Sequence, residues 1–173
     1  MKTKSQIRFE TDRLLIREIL PKDFDGYVKL HTNKNVTDSI PMPLWDMEKC
    51  KSEFSNRIKE TINPNRERKI WTIEHKSTNE FIGLCGLLFE NNQGHELAYR
   101  LCEPFWNKGY ATEVSKGLIH YAISNLKAKR IFADAYIENK ASNLILEKLL
   151  HFTSKSYSEK YGCWDNHYEL LVT

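Results

Sequence analysis

The sequence predicts an α+β fold: one mixed, mostly antiparallel twisted sheet of about six to seven strands, flanked by helices. Three observations carry this expectation. Between Lys69 and Leu101, three apolar runs follow one another across the turn-forming stretches "STNE" and "NNQG", as an antiparallel meander requires. From Glu113 the apolar spacing changes from strand period to helix period. A second strand pattern, Arg130 to Ile137, follows that helix, so the strand–helix–strand unit implies a parallel pair with a right-handed crossover.

Taken in order, "RLLIR" (Arg13 to Arg17) reads as a short strand with charged ends. "PKDFDGYVKLHTN" has helical spacing, with Phe24, Tyr27, Val28 and Leu30 on one side and Pro21 near its start. "SIPMPLW" carries two prolines and must be a loop. Helical spacing resumes in "MEKCKSEFSNRIKETI" through Met47, Cys50, Phe54, Ile58 and Ile62, and "NPNRER" turns the chain. Lys69 to His75 alternates, with Ile70, Thr72 and Glu74 opposite Trp71 and Ile73. Phe81 to Phe89 is nearly continuous apolar sequence, the pattern of a central strand, and "HELAYRL" is its neighbour. Glu113 to Leu126 is a helix with Val114, Leu118, Tyr121, Ala122 and Leu126 on one face. A second helix covers Ala141 to Leu150, and "SKSYSEKYGCWDNHYELLVT" reads as a closing hairpin. No linker divides residues 1–173, which suit a single domain.

Composition narrows the function classes. With 26 basic and 23 acidic residues the net charge is +3, too mild to argue for nucleic acid. The basic run "KAKR" (Lys127 to Arg130) fits the C-terminus of a helix, which favours cations. The four cysteines, Cys50, Cys85, Cys102 and Cys163, form no CxxC pair and no metal-ligand spacing with histidine. They read as free thiols, and no metal is expected. "MKTKSQIRFETDR" lacks the apolar core of a signal peptide, and the longest apolar run, "FIGLCGLLF", is too short to span a bilayer. These features predict a cytoplasmic protein with no membrane partner.

The stretch "WNKGYATEV" (Trp106 to Val114) leads from a strand into a helix without a capping serine or aspartate. A helix N-terminus presents unpaired amides and partial positive charge, so a side-chain-poor approach makes a seat for an anion. Gly109 permits positive φ and close approach to the backbone, Ala111 is small, Thr112 adds a hydroxyl and Lys108 a cation. A phosphate or pyrophosphate suits such a loop. The same residues also suit a plain strand-to-helix turn. Neither GxxxxGK[ST] nor GxGxxG is present, so the loop gives no support to an ATP or NAD site.

Trp106-Asn107-Lys108-Gly109-Tyr110-Ala111 resembles the pyrophosphate loop [QR]xxGx[GA] of the GNAT superfamily of acyl-CoA-dependent N-acyltransferases, with Trp106 in place of Gln or Arg. That departure is itself a feature of the Rim-type ribosomal-protein N-terminal acetyltransferases, which typically show a "W-G-K-G-Y-A-T-E-A"-like segment. The resemblance extends over almost the whole chain. "TDRLLIRE", "FIGLCGL" and "HELAYRL" are similar to that branch's first, third and fourth strands, with Ala98 at a position where the branch has glycine. "ENKASNLILEKLLHF" resembles its Asn-x-x-Ser helix, with Leu150-His151 where one glycine is expected, and "CWDNHYELL" its closing strand.

The resemblance implies acetyl-CoA as cosubstrate and attack of a primary amine on its thioester. Acceptors it allows are a protein N-terminal amine, a polyamine or an aminoglycoside, with nucleic acid entering only through a ribosome. It places Asn107, Lys108, Gly109, Tyr110, Ala111 and Thr112 at the pyrophosphate, the backbone of Leu101 and the side chain of Asn139 at the pantetheine, and Ser142 as general acid near the sulfur. A base must take a proton from the amine. Glu96 is the first choice, on one strand face with Ala98 and Arg100, although a bulge in this strand of the family leaves its face open and a surface role equally suits it. Positions 142, 145, 146 and 149 form one helical stripe, so Ser142 points the same way as Ile145, Leu146 and Leu149; a first-turn cap is the plainer role. Asn139 also suits an N-cap. The acceptor pocket would draw on the first two helices, the "SIPMPLW" loop and the final hairpin, with Asp38, Asp46, Glu48 and Asp165 as acidic candidates. A non-catalytic acyl-CoA sensor is one rival reading, an RNA- or ribosome-binding domain using the basic run Lys127 to Arg130 is another, and the sequence leaves any homo-oligomer open.

Overall fold

In the computed structural model, which describes residues 7–90, 94–159 and 161–172, the chain forms one mixed sheet of eight strands in the order β1-β2-β3-β4-β5-β6-β8-β7. The strands are β1 (Ile7–Glu10), β2 (Leu14–Arg17), β3 (Arg68–His75), β4 (Phe81–Glu90), β5 (Gly94–Leu101), β6 (Arg130–Tyr136), β7 (His151–Ser158) and β8 (Cys163–Leu171). The helices are α1 (Phe24–Thr32), α2 (Lys34–Asp38), α3 (Met47–Glu60), α4 (Tyr110–Leu126) and α5 (Lys140–Leu149). Of the "NNQG" turn, only Gly94 lies within the described residues. No described helix is long and apolar enough to cross a membrane.

The meander β3–β4–β5 is antiparallel, and β5 and β6 pair in parallel around α4. The sheet has more strands than expected because Ile7–Glu10 pairs with β2 ahead of the first predicted strand. Other elements shift at their ends. The first helix opens as a 3₁₀ turn at Pro21–Asp23, and α2 occupies residues 34–38, to which the sequence pattern assigned no element, capped by the Asn33 side chain. α4 starts at Tyr110 rather than Glu113, because Gly109 takes the left-handed conformation (φ 79°) and lets the helix begin at once. Leu150, extended at φ −130°, ends α5, and β7 begins immediately at His151, so no glycine is needed there.

One core fills the face covered by α4 and α5. Leu14, Ile16, Trp71, Ile73, Leu97, Leu101, Val114, Leu118, Ile131 and Leu146 are among its members, and each such side chain contributes about 1.5–3 kcal/mol through burial. The opposite face packs Ile19, Tyr27, Leu30, Val36, Phe54 and Leu84 beneath α1, α2 and α3. Arg17, expected as the charged end of a strand, is instead buried with 1% exposure. Its guanidinium donates to Asp23 at 2.7 and 2.8 Å and to Glu74 at 2.8 and 2.7 Å, and Thr72 donates to Asp23 at 2.9 Å. The polar side of β3, Thr72 and Glu74, is therefore buried as well.

Candidate active site

β5 and β6 share register only at His95–Ile131 and Glu96–Phe132, although β5 runs on to Leu101 and β6 to Tyr136. Past those pairs the strands separate. A cavity of about 790 Å³ opens there, walled by Glu96 to Leu101, Ala133 to Tyr136, the Trp106–Thr112 loop, the start of α5 and residues Ser39 to Met42 of the proline loop. A second cavity of about 660 Å³, around Lys29, Phe81 and Glu103, does not reach the loop's glycine or the start of α5.

β5 keeps unbroken register with β4 from Gly94 to Leu101, so no bulge disturbs its pleat against that neighbour. Cys102 N–H donates to Ile82 O at 2.9 Å. Antiparallel alternation then aims the backbone groups of Tyr99 and Leu101 away from β4, into the gap. The Leu101 carbonyl is already taken, accepting from Trp106 Nε1 at 2.9 Å, which leaves its N–H to a ligand. Leu97 and Leu101 pack in the α4–α5 core with Tyr99 against it, so Glu96, Ala98 and Arg100 occupy the opposite face, as simple parity expects.

At the loop, Gly109 is the N-cap of α4 and no side chain caps that end. Tyr110, Ala111 and Thr112, whose N–H groups open the helix, all line the cavity with Asn107 and Gly109. Lys108 does not: its ammonium stands 5.7 Å from the Phe105 ring centroid and its carbonyl accepts from Arg13 Nη1 at 3.0 Å. Arg13 also donates from its backbone N to Glu113 at 2.8 Å and from Nε at 2.7 Å, and its guanidinium lies 4.4 Å from the Tyr110 ring centroid. The sequence reading missed this clamp, since its partners lie about a hundred residues apart.

The start of α5 is held by Asn143, which is buried and fully bonded. Its Nδ2 donates to Tyr136 O and Asn139 O at 2.9 and 2.8 Å, and its Oδ1 accepts from Tyr168 and Asn166 at 2.8 Å each. The Asn139 side chain accepts from Ser142 N at 3.1 Å, so the asparagine is the cap and the serine is not. The buried residues of α5 are Asn143 and Leu146, while Ser142 sits half-buried on the cavity wall. Beside it the Tyr99 hydroxyl is buried without a hydrogen-bond partner among the described residues. Burial raises the Tyr99 pKa and the nearby Ser142 hydroxyl opposes that shift, but the two are not in hydrogen-bond geometry.

Glu96 lines the cavity, half-buried, with its carboxyl pushed up to about 7. Burial is the main cause; Asp134 and Glu90 add repulsion and Arg68 opposes it. Asp165 also lines the cavity and is raised by burial and by Asp134. The other acidic candidates are used elsewhere. Asp38 pairs with Lys34, Asp46 caps α3 through Lys49 N at 2.7 Å, and Glu48 pairs with Lys51. All four cysteines are free and buried; desolvation holds Cys102 up at about 11 and pushes Cys85 up as well, so none is poised as a thiolate. At "KAKR", Lys127 is the left-handed C-cap of α4 and its ammonium donates to Ser124 O at 2.9 Å, as a helix C-terminus favours.

Comparison with known proteins bears on this site. Residues 13–149 match the family described as "Acetyltransferase (GNAT) domain". The chain is 32% identical over 143 residues to the uncharacterised N-acetyltransferase YoaA of Bacillus subtilis (strain 168), covering 81% of this chain and 80% of YoaA. Among solved structures, the ribosomal L7/L12 alpha-N-protein acetyltransferase RimL, in complex with coenzyme A, superposes with a TM-score of 0.80 at 16% identity, over 96% of this chain and 98% of that one. The spermidine N-acetyltransferase of Vibrio cholerae, solved with CoA and spermine, gives 0.78 at 16% identity, over 92% and 95%. At such identities the structures speak to fold alone, but the family match spans most of the sequence, and with an uncapped glycine-led helix set beside a parted pair of strands this chain belongs to the GNAT family of acetyltransferases.

Proposed function

We propose that this protein transfers the acetyl group of acetyl-CoA to a primary amine by direct attack in a ternary complex, and that the acceptor is the N-terminal amine of a protein. The carrying observation is the carboxyl of Glu96, held at about 7 on the wall of the gap between β5 and β6. An α-amine with a pKa near 8 is already about one-tenth neutral at pH 7, so a base of that strength suffices; a lysine-like amine near 10.4 asks for more.

The residues present fit the donor. The free N–H groups of Tyr110, Ala111 and Thr112 would hold the pyrophosphate, with Asn107 and Gly109 beside them. Leu101 N–H and the Asn139 side chain would hold the pantetheine. Lys108 has no part in this, since its ammonium lies over Phe105. Glu96 takes the proton of the attacking amine as its nitrogen bonds to the acetyl carbon. As the carbon–sulfur bond breaks, Ser142, with the unpartnered Tyr99 hydroxyl beside it, supplies a proton to the leaving sulfur.

A small-molecule amine is the second reading, favoured by Asp165 and Asp134 on the same cavity wall. Thiol release from acetyl-CoA, measured with a pool of N-terminal peptides and separately with polyamines and amino sugars, decides between them. Turnover confined to peptides supports the first reading and turnover confined to small amines the second. Acetyl-CoA binding without turnover in either pool would leave a sensor.

A further inference from the structure

Arg100 breaks the pattern set by the other arginines. Arg8 and Arg66 pair with Glu18, Arg13 with Glu113, Arg17 with Asp23 and Glu74, Arg57 with Glu60, and Arg130 with Glu169. Arg68 is exposed. Arg100 is half-buried in the cavity wall, and among the described residues its hydrogen-bond partner is the thioether of Met42, 3.2 Å from Nη2. Among the described residues no carboxylate pairs with it. Burial lowers its pKa, and the group opposing that shift is the Tyr27 phenol, itself pushed up to about 12 and so neutral at pH 7. His31, next in that direction, is neutral too, lowered to about 4 by burial and by the nearby guanidinium groups.

A guanidinium offers five donors in a planar fork, and leaving it desolvated beside a sulfur is costly unless something else pairs with it. Glu96 stands on the same face of β5 but four residues away, about 13 Å along the strand, and exerts no attraction strong enough to lower its own pKa. The cavity thus has an acidic end, at Glu96, Asp134 and Asp165, and a cationic point at Arg100.

We infer that the acceptor carries, several bonds from its reacting amine, an anionic group, carboxylate or phosphate, that docks on the Arg100 guanidinium. This rests on the proposal that an amine acceptor occupies this cavity and adds a second requirement to it. A polycationic amine would meet Arg100 as a repelling charge, so the site discriminates against polyamines and in favour of an acceptor with one amine and a distal anion, such as a peptide with an acidic or phosphorylated residue shortly after its N-terminus.

The test compares acceptors matched in length: 6-aminohexanoate, 6-aminohexyl phosphate and 6-aminohexanol, with short C-terminally amidated peptides bearing Glu, phosphoserine or Gln at positions two to four. In the wild type, kcat/KM for the anionic members should exceed that of the neutral ones by about 10- to 100-fold, the range of one charge-assisted pair. The better of carboxylate and phosphate identifies the source. Arg100→Met should collapse that ratio towards one, and Arg100→Lys should keep part of it. Succinate and inorganic phosphate, titrated by calorimetry, should bind wild type more tightly than R100M; the difference removes anion binding at the glycine loop from the comparison. Equal turnover of anionic and neutral acceptors by the wild type, or a ratio unchanged in R100M, overturns the anion site while leaving the acetyltransferase reading intact. Failure of every amine, with succinate binding still dependent on Arg100, keeps the anion site and removes the amine-acceptor reading.

Discussion

Arg13 Nε lies 2.7 Å from Glu113 Oε2, and the same arginine reaches the carbonyl of Lys108 at 3.0 Å, so a residue from the first part of the chain ties the glycine loop to the first turn of α4. The bond holds the loop's outer side while its inner side lines the cavity. Arg13→Ala should raise the Kd for acetyl-CoA by about three- to tenfold with little change in melting temperature, because the pair is partly exposed. Calorimetric titration on wild type and variant reads this directly; an unchanged Kd would make the clamp ornamental.

Gly109 holds φ at 79°, a conformation that costs other residues about 1–3 kcal/mol and costs a β-branched one most. Gly109→Val should abolish measurable acetyl-CoA binding while far-UV circular dichroism remains that of the wild type. Wild-type affinity in this variant would remove the loop from cofactor binding.

Glu96 must be ionised to act as a base. With its carboxyl near 7, kcat/KM should climb as pH rises through that value and level off above it, and Glu96→Gln should lower the plateau by about 10²–10⁴ and erase the step. The same shift acts on stability. The folded state keeps the proton between the ordinary 4.5 and about 7 while the unfolded chain gives it up, so this group's stabilisation is complete below 4.5 and fades as pH rises through 7. Glu96→Gln should therefore raise the melting temperature at pH 8 and leave it nearly unchanged at pH 4. A gain equal at both pH values would contradict the assignment.

Ser142 and Tyr99 share the wall of the gap without bonding to each other. If the serine delivers the proton to the departing thiolate, Ser142→Ala should reduce kcat by about 10²-fold with acetyl-CoA affinity kept, and Tyr99→Phe should cost less. Steady-state kinetics on both variants separates the two hydroxyls; wild-type turnover in Ser142→Ala would end its role.

Far from the cavity, Arg17 holds two buried carboxylates together. Asp23→Ala takes away one of that cation's two carboxylate partners and should cost about 3–5 kcal/mol in urea unfolding, whereas acetyl-CoA affinity of the folded fraction should hold.

Residues whose role is set by near neighbours were legible from sequence. The glycine-led start of α4, the capping by Asn139 and the shared face of Glu96, Ala98 and Arg100 all follow from spacing of a few residues. What escaped depends on contacts across the chain. Arg13 acts on a loop beginning some 95 residues later, and Arg17 looked like a strand end until Asp23 and Glu74 closed on it. Helical spacing puts Ser142 on one stripe with Ile145, Leu146 and Leu149, and in the fold Ser142, Ile145 and Leu146 all line the cavity. Asn143 takes the inward position, and its four bonds, to β6, to β8 and to the cap of its own helix, leave no trace in helical periodicity. Of the acidic residues proposed for the pocket, only Asp165 lines it, since capping and local pairing claim the rest.

The parting of β5 from β6 has a consequence outside catalysis. A sheet interrupted near its middle is two blankets joined at one end, here by His95–Ile131 and Glu96–Phe132. A rod-shaped donor lying in that seam would act as a rivet, and its binding energy would add to that of folding, by about 2.7 kcal/mol at a hundredfold excess over Kd. Starved of its donor, the protein would gape more often and meet proteases sooner.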